Sequence, residues 1–258
     1  MVRYLRKHWF IFLSGIALLL LISIGLFVSH SGRINKISDR DIKKSLVPDI
    51  NELSDSDEDN LIRYGKELII NTSKYLGPHG LVAQITNGLE CGNCHMESGT
   101  KLFTNNFLAV ASTYPKYRER SGREESVEFR VNECLQRSLN GREIDSLSKE
   151  MRAMVAYIKW TGKNVTKNIK TDEGKTKEVP FLPIAADTAK GASVYQAKCK
   201  LCHGDNGEGK MLKDSFRYLY PPLWGPNSYA VSAGMYRITK LVSFIKYNMP
   251  LGATYDKP

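Results

Sequence analysis

"CGNCH", residues 91–95, and "CKLCH", residues 199–203, decide how the chain reads. In each, two thiols stand three residues apart and a histidine follows directly. That spacing lets both sulfurs add to the vinyl groups of one haem while the histidine reaches the iron from the proximal side. A zinc site needs more close ligands than either stretch offers, and a C-x-x-C disulfide has no use for the histidine. Two covalently bound haem c groups are therefore expected, on Cys91 and Cys94 and on Cys199 and Cys202, with His95 and His203 as proximal iron ligands.

Around the two motifs the chain divides in two. "SDSDEDNLIRYGKELII" carries acids at its front, where they suit a helix dipole. Leu61, Gly65, Leu68 and Ile69 recur at helical spacing and give it one buried face. "SLSKEMRAMVAYIKWTGK" reads as a second helix, capped by Ser146 or Ser148, with a stripe of Met151, Met154, Val155 and Ile158 and a stop at Gly162. A Lys-, Thr- and Gly-rich stretch ending in prolines then reads as a linker. Past it, Gly191, Tyr195 and Cys199 share one helix face that runs into the second motif. Strand-like alternation is scarce. The fold class is mainly α, with two tandem cytochrome c-like domains of class I type after an N-terminal transmembrane helix. The expected divisions are 1–30 as anchor or signal, 31–50 as tether, 51–162 as the first haem domain, 163–184 as linker and 185–258 as the second.

Residues 9–28 are twenty uncharged residues preceded by Arg3, Arg6 and Lys7. This is about the length that spans a bilayer core, in the orientation that leaves the haem domains outside the cytoplasm. No A-x-A cleavage pattern follows, so an uncleaved anchor is expected over a cleaved signal. The localisation expected is the cytoplasmic membrane, with the haem domains on its periplasmic face. The chain has 37 Lys and Arg against 27 Asp and Glu. Its basic residues are dispersed among acids, which disfavours nucleic acid as a partner and suits a solvated surface or a cleft for a small anion.

Each iron has a sixth position to fill. In the second domain Met249, in "IKYNMPLG", follows a helix and precedes a proline that turns the backbone. It is preferred to Met235 and Met211 as the ligand, and a His/Met haem suits electron transfer. In the first domain His79, Met96, Met151, Met154 and Cys134 are available. Met96 is too close to His95, and Met151 and Met154 read as core.

Cys134 is the fifth cysteine of an exported chain and belongs to neither motif. It lies in "SVEFRVNECLQRSLNG", a helix capped by Ser126, whose buried stripe is Val127, Val131, Leu135 and Leu139. Arg130, Cys134 and Ser138 form a neighbouring stripe at the edge of that face, with Arg137 one turn away. A small buried hydrophobe is one reading of such a cysteine. The adjacent guanidinium, which favours a thiolate, supports two others, an iron ligand or a reactive thiol.

"NGLECGNCHMESGTK", "YPKYRERSGREESVEFRVNECLQRSLNGR" and "SKEMRAMVAYIKW" resemble the catalytic domain of the dihaem thiosulfate dehydrogenases, also called tetrathionate-forming cytochromes c. "GASVYQAKCKLCHG", "PPLWGP" and "FIKYNMPLGAT" resemble the electron-transfer domain of the same family. The resemblance covers about residues 50–258. It implies that Cys134 is the distal ligand of the first haem, that this haem is the active site, and that Met249 ligates the second. It implies that Arg120, Arg130 and Ser138 hold the anionic substrate beside Cys134, with Arg137 and Arg142 as lesser candidates. The activity implied is interconversion of thiosulfate and tetrathionate. Electrons would pass from the His/Cys haem to the His/Met haem and on to an external partner such as another cytochrome c. The resemblance further implies a closing helix beyond Pro258. Two other functions fit the motifs: a membrane-anchored dihaem electron carrier without its own catalysis, and the cytochrome subunit of a thiosulfate-oxidising complex.

Overall fold

The architecture follows from one tight helix crossing. The computed structural model describes residues 45–167, 176–213 and 216–252. Helix α1 (Asp57–Ile70) starts where the side chain of Ser56 accepts a hydrogen bond from the Asp59 amide, with Asp57, Glu58 and Asp59 in its first turn, the placement that suits the positive end of the helix dipole. After α2 (Thr72–Leu76) come the first C-x-x-C-H turn and a short α3 (Val110–Thr113). A hairpin of β1 (Lys116–Arg118) and β2 (Arg123–Glu125) follows. Helices α4 (Val127–Arg137) and α5 (Lys149–Thr161) complete the first domain, capped by the Ser126 and Ser148 side chains.

Helices α1 and α5 pack against each other through Ile62, Leu68, Ile69, Met151, Met154, Tyr157 and Ile158. Gly65 lies in this interface, where an added Cβ would strike Ala153 O and Tyr157 Cβ. The predicted stripe of α5 is buried throughout, and Met151 and Met154 are core residues at 0% exposure. On α1 the register differs slightly: Ile62 is buried, whereas Leu61 is half-buried at the edge of the cluster.

The second domain is built more openly. Helix α6 (Thr188–Lys198), capped by Asp187, carries no buried residue. It leads into α7 (Lys200–His203), a ribbon of β3 (Lys210–Met211) and β4 (Tyr218–Tyr220), and α8 (Ile238–Asn248). The described residues pack as one unit, and a cluster of Met96, Met235 and Phe244 joins the domains, with Cys94, Tyr229, Leu241 and Met249 against it. The far end of the linker turns back on both domains: Lys177 N–H donates to Phe103 O at 3.0 Å and Val179 N–H to Ser243 Oγ at 3.2 Å.

The predicted membrane span, residues 9–28, lies outside the described residues. Among the described residues no helix is long and apolar enough to cross a membrane.

Helix α4 buries Val127 and Leu135, and Leu139 just past its end joins the same apolar side. It also buries Glu133, 4% exposed. That carboxylate takes Arg130 Nη1 at 2.9 Å and Arg137 Nη2 at 2.5 Å. Removing one member of a buried ion group leaves the others desolvated and unpaired, so Glu133→Ala should lower unfolding stability by about 3 kcal/mol. Overpacking the helix crossing should also be costly: Gly65→Ala should lose about 2 kcal/mol, a fall of about 6 °C in Tm. Thermal unfolding of the haem-loaded chain checks both.

Candidate haem sites and anion site

The first C-x-x-C-H turn is held from below by α1 and α2. Cys91 N–H donates to Thr72 Oγ1 at 3.0 Å, and Thr72 Oγ1 in turn donates to Leu68 O at 2.8 Å. Glu90 Oε2 accepts from Ser73 N–H at 2.7 Å, and Glu90 N–H donates to Asn93 Oδ1 at 2.8 Å. Tyr157 of α5 reaches over to donate to Ser98 O at 2.9 Å. These contacts leave the turn with little freedom before any haem is attached.

His95 is oriented for ligation. Its Nδ1 lies 2.5 Å from the Asn105 carbonyl oxygen, which makes Nδ1 the protonated nitrogen and leaves the Nε2 lone pair for a metal. The Phe107 ring lies over the imidazole at 4.5 Å between centroids. Desolvation pushes the His95 pKa down to about 4, against the Asn105 hydrogen bond and helped by Arg130, so the imidazole is neutral, as a ligand must be, across the physiological range. His203 repeats the device: its Nδ1 stands 2.8 Å from Pro221 O. Tyr195 donates to Gly204 O at 2.7 Å and lies 5.9 Å from Trp224, so α6 and the 220s loop brace the second turn from two sides. In both domains the donor set fits a c-type haem.

The structure brings Cys134 to the first of these sites. Desolvation, opposed at Cys91 by the Thr72 hydrogen bond and aided at both by the nearby Cys134, pushes the Cys91 thiol up to about 12 and the Cys94 thiol up to about 11. The three sulfurs thus share one locality, contributed by two separate segments. Arg130 is held still more firmly protonated, chiefly by Cys134. Tyr114 has its phenol raised by desolvation and feels Arg118, Arg130, Glu125 and Cys134. Arg120 sits at the exposed hairpin tip, and its Nη2 donates to Ser232 O of the second domain at 2.8 Å. Ser138 is the half-buried C-cap of α4.

Other candidates are placed elsewhere. His79 stacks on Phe216 of the second domain at 3.9 Å, and Arg142 donates to Gln84 O at 3.1 Å on the surface. Met211 is 42% exposed on β3. Met235 is core as expected, but its core lies between the domains, where Asn105 Nδ2 approaches its sulfur at 4.0 Å. Met249 is the half-buried C-cap of α8, packed against that same cluster. Tyr229 of the second domain is raised by burial and then by Cys94, so it stands at the first haem's attachment point. Asn105, Tyr114 and Tyr229 carry no motif and no periodic signal, and only the folded chain reveals them.

Comparison with known proteins agrees with this arrangement. Residues 82–166 match the cytochrome c domain of SoxA/TsdA, and residues 186–254 match cytochrome c oxidase, cbb3-type, subunit III. The thiosulfate dehydrogenase of Allochromatium vinosum is 37% identical over 196 residues, covering 72% of this chain and 71% of that protein. The enzyme of the same name from Stutzerimonas stutzeri is 34% identical over 192 residues, covering 74% of this chain and 60% of that protein. The solved thiosulfate dehydrogenase (TsdBA) of Marichromatium purpuratum superposes with a TM-score of 0.71 at 28% identity, over 80% of this chain and 44% of that one. The chain thus spans less than two thirds of the length of two of these three proteins. Its two cytochrome c domains carry two covalently bound c-type haems, and the chain belongs to the thiosulfate dehydrogenase family.

Proposed function

We propose that the chain interconverts thiosulfate and tetrathionate at the first haem site, with Cys134 and Met249 as the distal ligands of the first and second haems. The observation that supports this reading is that Cys134 lies near enough to both haem-attachment cysteines and to Arg130 for its charge to bear on all three. An electron carrier needs no cationic side chain at its distal ligand. A site for a dianionic sulfur substrate does.

The residues divide the work. Arg130 and Arg120 draw thiosulfate in and neutralise its sulfonate charge, and Ser138 offers a hydroxyl one helical turn beyond Cys134. Glu133 holds the Arg130 guanidinium through an ion pair at 2.9 Å. Joining the outer sulfurs of two thiosulfates makes one S–S bond and releases two electrons. The haems that Cys91, Cys94 and His95 and that Cys199, Cys202 and His203 would hold would supply the one-electron steps, with an external acceptor such as another cytochrome c at the end. His95 and His203, each with its Nδ1–H committed to a carbonyl, hold their Nε2 atoms in place throughout. The same residues serve tetrathionate reduction. The apolar N-terminal segment supports anchorage at the cytoplasmic membrane with the haem domains on the periplasmic side.

Mixing the oxidised, haem-loaded chain with thiosulfate under anaerobic conditions, and following haem absorbance, tests the reading. Fast reduction is expected, falling by about a hundredfold or more in Cys134→Ala. An unmodified chain that thiosulfate does not reduce and tetrathionate does not reoxidise would leave only an electron carrier. Met249→Ala should keep the thiosulfate-dependent reduction of the first haem and change the absorbance and potential of the second.

A further inference from the structure

Residues 176–179, at the far end of the linker, lie across both domains as a strap. On the first domain, Thr176 Oγ1 donates to Asn105 Oδ1 at 2.9 Å, and Lys177 N–H donates to Phe103 O at 3.0 Å. The Lys177 ammonium also stands 5.8 Å from the centre of the Phe103 ring and 5.4 Å from that of Tyr247 on α8. On the second domain, Val179 N–H donates at 3.2 Å to the hydroxyl of Ser243, a residue 2% exposed. Glu178 pairs with Lys240 of the same helix at 2.8 Å. The strap is thus fixed to α8 at one end and to the 103–105 loop at the other.

That loop needs holding. Phe103 has a φ of 57°, in the left-handed region that a bulky side chain rarely adopts. Such a conformation persists where its surroundings fix it. Within the first domain, Thr104 Oγ1 and Asn106 Nδ2 both donate to Lys101 O, at 2.9 Å each. The strap adds the ties at Phe103 and Asn105. Asn105 is the residue whose carbonyl oxygen lies 2.5 Å from His95 Nδ1. A hydrogen bond at that nitrogen sets the orientation of the ring and raises its basicity toward a metal. His203 provides an internal comparison, because its Nδ1 partner is Pro221 O of the second domain, at 2.8 Å.

We propose that Thr176 and Lys177 are positioning residues for the first haem. Anchored to α8, they keep the 103–105 loop in place and so keep the Asn105 carbonyl on the His95 Nδ1 proton. The docking of the second domain thereby enters the electronic character of the first haem's proximal ligand. A loosened Asn105 carbonyl would lengthen the hydrogen bond, and the imidazole would become a weaker donor to ferric iron. The reduction potential of that haem would then rise. This hold acts through His95 and is the same whatever anion the distal side takes.

The test follows the Nδ1 protons of the two histidines by magnetic resonance in the reduced, haem-loaded chain with nitrogen-labelled histidine. His95 is recognised by its contact with the Phe107 ring, 4.5 Å away. Thr176→Val removes the hydroxyl and keeps the shape. It should speed exchange of the His95 Nδ1 proton with solvent by about tenfold and leave the His203 proton unchanged. In a redox titration of the same variant, the equilibrium of one haem should shift toward the reduced form by about threefold. Thr176→Ser, which retains the hydroxyl, should exchange like the unmodified chain. Ser243→Ala, a change made in the second domain, should also speed exchange at His95, though by less. Thr176 is a half-buried linker residue, so both of its variants are expected to fold. Unchanged exchange at His95 in Thr176→Val would overturn the proposal. Faster exchange at both histidines alike would overturn it too, because that marks a general loosening of the chain rather than a hold on one ligand.

Discussion

A single buried hydroxyl holds the first haem site in place. Thr72, at 0% exposure, accepts the Cys91 N–H and donates to the Leu68 carbonyl. It thereby fastens the attachment turn to the last turn of α1. Helix α1 is fixed by its crossing with α5, and the α1–α5 core extends to Val127 at the start of α4. The positions of Cys91 and Cys134 are thus not independent. Both are referred to one rigid pair of helices, although 43 residues of sequence separate them. On the proposed ligation the attachment sulfurs and Cys134 would have to be held at one spacing, and packing well away from them does this.

The second domain has a different physical character. Its first helix buries nothing, and large apolar side chains such as Leu201 and Ile238 are 81% and 75% exposed. What order it has in the described residues comes from short polar ties to the first domain, such as Asn87 Nδ2 to Ser228 O at 2.8 Å and Asn140 Nδ2 to Pro226 O at 3.1 Å. A buried contact, Lys101 Nζ to Asn248 Oδ1 at 2.8 Å, joins the first domain to the end of α8 directly before Met249. Here the domains meet through specific hydrogen bonds around a small apolar cluster, an arrangement that sets geometry more than it adds stability.

Much of this was legible in the sequence, and the reason is local. Capping serines, the Met151–Met154–Val155–Ile158 stripe and the C-x-x-C-H spacing are encoded within a dozen residues each, so pattern alone places them. The thiol at Cys134 was noticeable because it was odd in number and flanked by Arg130 at helical spacing. The tie between Arg120 and Ser232 could not be found in that way. It exists because a loop 112 residues further along the chain folds back on the hairpin tip. Tyr229 and Asn105 escaped for the same cause. A polar residue's partner across a domain boundary leaves no period and no motif in its own neighbourhood.

Asn105 joins three parts of the molecule. Its carbonyl holds the proximal His95, its side-chain oxygen accepts from Thr176 of the linker at 2.9 Å, and its amide nitrogen approaches Met235 of the second domain. The residue that orients the imidazole is therefore gripped by the linker and by the neighbouring domain. Such a chain cannot exchange its domains freely as building blocks. A foreign electron-transfer domain grafted past the linker would bring a working haem and still disturb the old one. To be inherited intact, the first haem would need a partner that supplies its own version of Met235 and of the returning linker segment at Thr176.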